Sequence, residues 1–156
     1  MRRKDELFEQ LIIAVFRVNG RLIDAGNQLV GDIGLTSAWW QVLGALSLSP
    51  TPLPVAHIAR NMGLSRQSVQ RIADLLAEKG LLRFEANPHH QRAKLAVLTA
   101  KGIAAVRGAE ERQRPWARNI AAGLNLEQIS GALAVLTHMD RRLADAREDN
   151  FNQEET

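Results

Sequence analysis

The sequence contains no cysteine and no tyrosine. Without thiols there can be no disulfide, no thiolate nucleophile and no thiol redox sensor. No run of about eighteen apolar residues occurs, so no membrane span is expected. The opening "MRRKDELFEQ" is basic but turns acidic at once and carries no signal-peptide core. A cytoplasmic protein is the expectation. No nucleophile stands beside a plausible base and no phosphate-binding glycine loop occurs, so neither an enzyme nor a cofactor is expected. Internal repeats and low-complexity tracts are also missing. The length, 156 residues, suits one domain or two interlocked parts of one fold.

What is present is an uneven charge. The formal net charge is only +3. From Leu53 to Gly102 eight basic residues face three acids, a balance of +5, and the rest carries twelve basic and fourteen acidic residues, a balance of −2. A basic centre between acidic flanks is the electrostatic footprint of a polyanion-binding module. A solvated surface of uneven charge gives the same count, so the pattern needs structural support.

That support comes from the order of elements. Residues 4–30 read as a long helix with a seam at Leu11, Val15, Val18, Leu22, Ala25 and Leu29. A second apolar stripe holds Phe8, Ile12, Phe16 and Ile23, so this helix has two faces to cover: its own core and a second copy of the chain. Thr36 suits the N-cap of a following helix that "SPTPLP" ends. "PVAHIARNMG" and "LSRQSVQRIADLLAEKG" are two short helices, the first stopped by Gly63 and the second capped by Ser65. Two segments of β character follow, "LLRFE" and "KLAVL", separated by residues 86–92, long for a tight hairpin turn. Thr99 caps another long helix, which Pro115 is expected to kink or break. A last helix from about Leu126 repeats apolar positions at Ile129, Leu133, Leu136, Met139 and Leu143. The polar residues 149–156 are expected to fray as a flexible tail.

The two short helices around "GLS" form a helix-turn-helix. Gly63 permits the sharp turn, Leu64 plugs the space between the helices, and Ser65 leaves the first turn of the second helix facing outward. The outer face of that helix carries Arg66, Gln67, Ser68, Gln70 and Arg71, with no acid before Asp74. Arginine can read guanine and glutamine adenine in bidentate pairs, and Ser68 with nearby backbone N–H groups suits phosphate. An ordinary amphipathic helix with a polar outer face would look the same taken alone. The hairpin that follows makes the unit a winged helix.

The ordered series "LTSAWWQVLGAL", "VAHIARNMGLSRQSVQRIADLLAEKGLL" and "NPHHQRAKLAVLTAKG" resembles the MarR family of transcriptional regulators. The resemblance covers nearly the whole chain and is weaker in the flanking helices. It implies a mainly α fold with a small β-hairpin wing. Residues 35–99 would be the winged helix-turn-helix DNA-binding domain, and residues 1–34 and 100–148 a helical dimerisation region. The function it implies is a homodimeric, sequence-specific DNA-binding regulator, a repressor, on a pseudo-palindromic operator with half-sites about 10 bp apart. A winged-helix module that binds a protein partner instead of DNA is the alternative. DNA contacts would come from Ser65, Arg66, Gln67, Ser68, Gln70 and Arg71, and in the wing from Arg92 and Lys94. The family usually has Asp, any residue, Arg in the wing; here His90, Gln91, Arg92 stand there. Arg92 would enter the minor groove. The family Asp is replaced by His90, and Phe84 stands where many relatives have a basic residue, so a charge pair bracing the wing is in doubt.

Many family members bind small aromatic or phenolic effectors between the dimerisation helices and the winged helix. The resemblance places Phe16, Trp39, Trp40 and Leu43 as the candidate lining. His89 and His90 invite a metal reading, but adjacent residues on a loop diverge and neither Cys nor a nearby acid completes a ligand set. No metal is expected, and the histidines are read as phosphate neighbours.

Overall fold

The computed structural model describes residues Arg2–Glu154 and consists of six α-helices and a small sheet. Contacts divide the chain into two units, one ending at Trp116 and one beginning at Ala117. Among the described residues no helix is long and apolar enough to cross a membrane.

The first unit opens with α1 (Arg2–Val30), a 3-10 turn (Gly31–Ile33) and α2 (Ser37–Leu48). Gly34 takes the left-handed conformation at φ 74°, and the Leu35 N–H returns to the Val30 carbonyl. Thr36 then caps α2 by accepting from the Trp39 N–H. α1 and α2 approach closely because Gly26 has no side chain: a Cβ there would collide with Ser37 Oγ. Ser37, only 4% exposed, donates through Oγ to the Ile23 carbonyl at 2.8 Å and through its N–H to Asn27 Oδ1 at 2.8 Å.

Next come β1 (Leu53–Pro54), α3 (Val55–Met62), α4 (Arg66–Glu78), β2 (Leu82–Glu85) and β3 (Leu95–Leu98). The strands form one antiparallel sheet in the order β1-β3-β2, with Leu82 opposite Leu98, Glu85 opposite Leu95, and Leu53 opposite Ala96. β1 was not expected from the sequence. At two residues it is too short to show alternation, and Pro54, lacking an N–H, is tolerated because the strand lies at the sheet edge. Leu43, Ile58, Val69, Leu76 and Leu82 form the centre of the core, each with essentially no exposed surface. The unit continues into α5 (Ala100–Ile120). Arg112 ties this helix to the 3-10 turn: Nη2 to Asp32 Oδ2 is 2.6 Å and Nε to Oδ1 is 3.0 Å. Those guanidinium hydrogen bonds hold the Asp32 carboxyl below its ordinary range.

Of the kink or break expected at Pro115, the break does not occur, since α5 runs through it to Ile120. Proline removes one N–H donor, and a helix of 21 residues retains the rest of its ladder. Gly123, at φ 85°, lies in the turn that follows. α6 (Leu126–Glu154) begins with a reciprocal cap, Gln128 N–H to Asn125 Oδ1 and Asn125 N–H to Gln128 Oε1. Its backbone is helical to Glu154, where a frayed tail was expected from residue 149. The last two residues of that segment lie outside the described residues. Within the second unit, α6 has no buried side chain among the described residues, and Leu126, Leu133 and Leu143 are each more than 60% exposed.

Candidate nucleic-acid interface

The turn between α3 and α4 follows its local chemistry. Gly63 sits at φ 64°, its N–H reaches the Arg60 carbonyl, and the Leu64 N–H reaches that of Ala59. Ser65 is extended, and its Oγ accepts from the Ser68 N–H at 3.1 Å. Val69, Ala73 and Leu76 then turn inward, which leaves Arg66, Gln67, Ser68, Gln70 and Arg71 exposed on the opposite face.

The wing is anchored at its base, not its tip. Thr99 Oγ1 donates to the Gly80 carbonyl at 2.6 Å and accepts from the Gly102 N–H at 3.1 Å. Lys101 Nζ reaches the Lys79 carbonyl at 2.8 Å. Gly102 packs so closely under Leu81 that a Cβ would strike the Leu81 carbonyl oxygen. These contacts bind the end of α4, the end of β3 and the start of α5 into one joint, fixing the wing against α4.

Between the strands the chain makes two successive turns, His90 N–H to the Asn87 carbonyl and Ala93 N–H to that of His90. Asn87 Oδ1 also accepts from the His89 N–H at 3.0 Å, a side-chain turn characteristic of Asn before Pro. On β2, Arg83 Nη2 pairs with Glu85 Oε1 at 2.6 Å. Within the wing, Asn87 orders the first turn and Arg83 pairs with Glu85 along the same strand, while the His90 and Arg92 side chains make no hydrogen bond or ion pair among the described residues. Neither Asn87 nor Glu85 was singled out in the sequence, although the Asn-Pro dipeptide is a turn signal.

A cleft of about 220 Å³ lies between α4 and the wing. It gathers Arg66 and Gln70 from α4 with Arg92 and Lys94 from the wing, over a floor that includes the half-buried Phe84. Gln67 and Arg71 lie on the adjoining outer face of α4. Asp74 belongs to both surfaces and accepts from Gln70 Nε2 at 2.8 Å. That acid, one helical turn beyond Gln70, holds the amide that the sequence assigns to a base edge. Ser65 and Ser68 line neither cavity and serve the helix start. His89 and His90 are exposed on the wing, and no group of three His, Cys, Asp or Glu residues gathers among the described residues.

A second cavity, about 590 Å³, opens between α1, α2 and α5. Of the four residues placed there from the sequence, only Trp40 lines it. Leu43 is wholly buried in the core, and Phe16 is 75% exposed on α1 away from the cavity. Trp39 instead packs against the core with Lys79 Nζ 5.3 Å from its ring centroid, a cation–π contact. The wall includes Val106, Glu110 and Gln113, at i, i+4 and i+7 on one face of α5, followed by Trp116. The spacing was visible in the sequence; what it faces was not.

Comparisons with known proteins agree with this geometry. A profile of the MarR family matches residues 33–93. An uncharacterised protein of Mycobacterium tuberculosis is 36% identical over 103 residues, covering 66% of this chain and 71% of that protein. The transcriptional activatory protein BadR of Rhodopseudomonas palustris is 29% identical over 102 residues, 64% of this chain and 58% of its own length. Among solved structures, CouR from Rhodococcus jostii RHA1 bound to p-coumaroyl-CoA superposes with a TM-score of 0.76 at 22% identity, covering 83% of this chain and 91% of CouR. With its helix-turn-helix, its wing and these relatives, the chain belongs to the MarR family of winged-helix transcription regulators.

Proposed function

We propose that two copies of this chain bind one duplex DNA site and repress transcription from it. The observation that carries the reading is the cleft that sets Arg66 and Gln70 of α4 opposite Arg92 and Lys94 of the wing. α4 enters the major groove, where Arg66, Gln67 and Arg71 face base edges and phosphates. Gln70 reads a base only after exchanging its hydrogen bond with Asp74. Arg92, with no protein partner among the described residues, lies over the neighbouring minor groove. With the Ser68 N–H held by the Ser65 cap, the Ser68 hydroxyl and the Arg66 and Gln67 N–H groups of the first turn lie near phosphate.

The pairing of copies is supported by the exposed apolar stripes of α1 and α6, which a single chain leaves in water. A two-fold dimer presents two recognition helices to half-sites about one helical turn apart. The cavity beside Trp40 serves a small effector, whose binding between α1, α2 and α5 changes how the recognition helices are held. The complex of CouR with p-coumaroyl-CoA supports such a role for the fold. Repression follows if the dimer covers promoter DNA; BadR, named as an activatory protein, has the opposite sign. A reporter driven by the bound promoter decides between them.

The test is a salt titration with genomic fragments selected for binding. Affinity should fall steeply with salt as phosphate contacts are lost. No binding to any duplex at low salt would overturn the reading and favour a protein partner.

A further inference from the structure

The cavity between α1, α2 and α5 has one ionisable residue in its wall, Glu110. Every other lining residue is neutral, including the amides of Asn19, Gln41 and Gln113. Two of the three tryptophans in the chain, Trp40 and Trp116, belong to this wall, with the polarisable sulfur of Met62. The Glu110 side chain makes no hydrogen bond or ion pair among the described residues. The guanidinium two residues on, Arg112, is turned to other work: it binds Asp32 and the Gly108 carbonyl.

We propose that this cavity takes a small aromatic cation, its charged nitrogen seated beside Glu110 and against the indole faces. The inference rests on the effector site of the regulator proposed above and names the chemistry of its ligand. The volume, about 590 Å³, falls within the range of small-molecule sites.

Charge decides among the possible ligand classes. An aromatic carboxylate would meet the carboxylate of Glu110 with no lysine or arginine in the wall to offset the repulsion. A neutral aromatic would cover Glu110 without giving it a partner, and a carboxylate removed from water without compensation is costly. A cation satisfies Glu110 by Coulomb attraction, and indole is the best of the aromatic faces for a cationic nitrogen. Met62 and the Leu22 and Ile23 side chains remain for the apolar part of the ligand.

The test is calorimetry on the full chain without DNA, using two probes of similar size and opposite charge, benzyltrimethylammonium and phenylacetate. The cation should bind at least about tenfold more tightly. Glu110→Gln should reduce that preference to near unity while leaving the phenylacetate affinity unchanged or slightly raised. Gln113→Glu, a gain of charge one turn along the same wall, should increase the preference, and it supplies the answer if Glu110→Gln does not fold. Phenylacetate binding as tightly as the cation, a preference that survives Glu110→Gln in folded protein or is unmoved by Gln113→Glu, or no binding of either probe at millimolar concentration would each overturn the proposal. Because no DNA is present, such a failure leaves the DNA-binding reading standing. Conversely, loss of the salt-dependent DNA interaction would overturn that reading and leave this measurement intact.

Discussion

Helix α4 buries Val69, Ala73 and Leu76 inside its own unit, whereas α6 leaves Ile129, Leu133, Leu136 and Leu143 in water. Both helices carry apolar residues at steps of three and four, so periodicity does not distinguish them. What differs is the supply of covering surface. α4 has α2, α3 and β2 packed around it within a continuous core. α6 is a 29-residue helix whose stripe finds no such cover in its own unit. Fully burying such a side chain contributes about 1.5–3 kcal/mol, and these four keep roughly half of their surface exposed, so covering the row would add on the order of 3–6 kcal/mol, a large share of a small domain's stability. The core around α4 is thus complete within its own unit, while the α6 stripe has no cover within its own, which is the physical case for the proposed second copy.

The same substitution placed in both helices gives the largest contrast. Leu76→Ala should cost about 2–5 kcal/mol, because it opens a cavity in a packed core. That loss should be the same at micromolar and at hundred-micromolar protein. Leu133→Ala should act through association: its effect on the denaturation midpoint should grow or shrink with protein concentration. Urea unfolding at several concentrations, paired with sedimentation, separates the two. A concentration-independent loss for Leu133→Ala as large as that for Leu76→Ala would break the comparison, since it would mean α6 is covered within one chain.

Glycine substitutions sharpen the contrast further. Gly102→Ala drives a Cβ into the Leu81 carbonyl at the joint that fixes the wing, an overpacking expected to cost about 1–3 kcal/mol. It should also weaken DNA binding, because that joint sets the wing against α4. Gly131 lies inside α6 with nothing within 4 Å of an added Cβ. Gly131→Ala should therefore gain about 0.5–1 kcal/mol from helix propensity. A destabilised Gly131→Ala dimer, seen by thermal melts, would mean that a partner backbone approaches α6 closely at that position.

On the proposed DNA face the effects are comparable or smaller and differ in kind. Arg71→Ala should lose about 1–3 kcal/mol on the selected site if it reads a base, with little change on random duplex. Arg92→Ala should lower affinity for both and reduce the salt slope by about one. Fluorescence anisotropy across a salt series distinguishes them. Identical behaviour of the two variants would collapse the division between a reading helix and a wing that holds phosphate and groove.

Much of this was legible because it is local. Thr36, Gly63, Ser65 and Thr99 each perform at one helix end a task their own side chain or missing side chain dictates, and a sequence displays such tasks directly. Tertiary partners were not legible. Gln70 was assigned to a base edge without its bond to Asp74, and with His90 in the family Asp position a charge pair in the wing was in doubt, while the Arg83–Glu85 pair along β2 and the Asn87 turn were not foreseen. The cavity lining was mostly misplaced for the same reason. Leu43, Trp39 and Phe16 share with Trp40 the aromatic or apolar character a pocket needs. Only packing determines that Leu43 is core, that Trp39 lies under Lys79, and that Trp116 joins the wall.

The smallest expected effect concerns the bond that secures α5 to the turn after α1. Hydrogen bonds from Arg112 hold the Asp32 carboxyl below its unfolded value of about 3.8, against the opposing pull of desolvation. A carboxyl with a depressed folded value binds protons more readily when unfolded. Its stabilising contribution is therefore fully present above the unfolded value and is lost as pH falls through the lower, folded one. The pair lies at the surface, where screening limits its worth, so near neutral pH Arg112→Gln should shift the midpoint only slightly. Below about pH 4 the wild-type chain should lose stability more steeply than the variant, and the two curves should converge. Should they stay parallel down to pH 2, the Arg112–Asp32 bond would contribute nothing that depends on charge. α5 would then be held against the turn by its apolar side alone, with Val106 and Ala109 in the core.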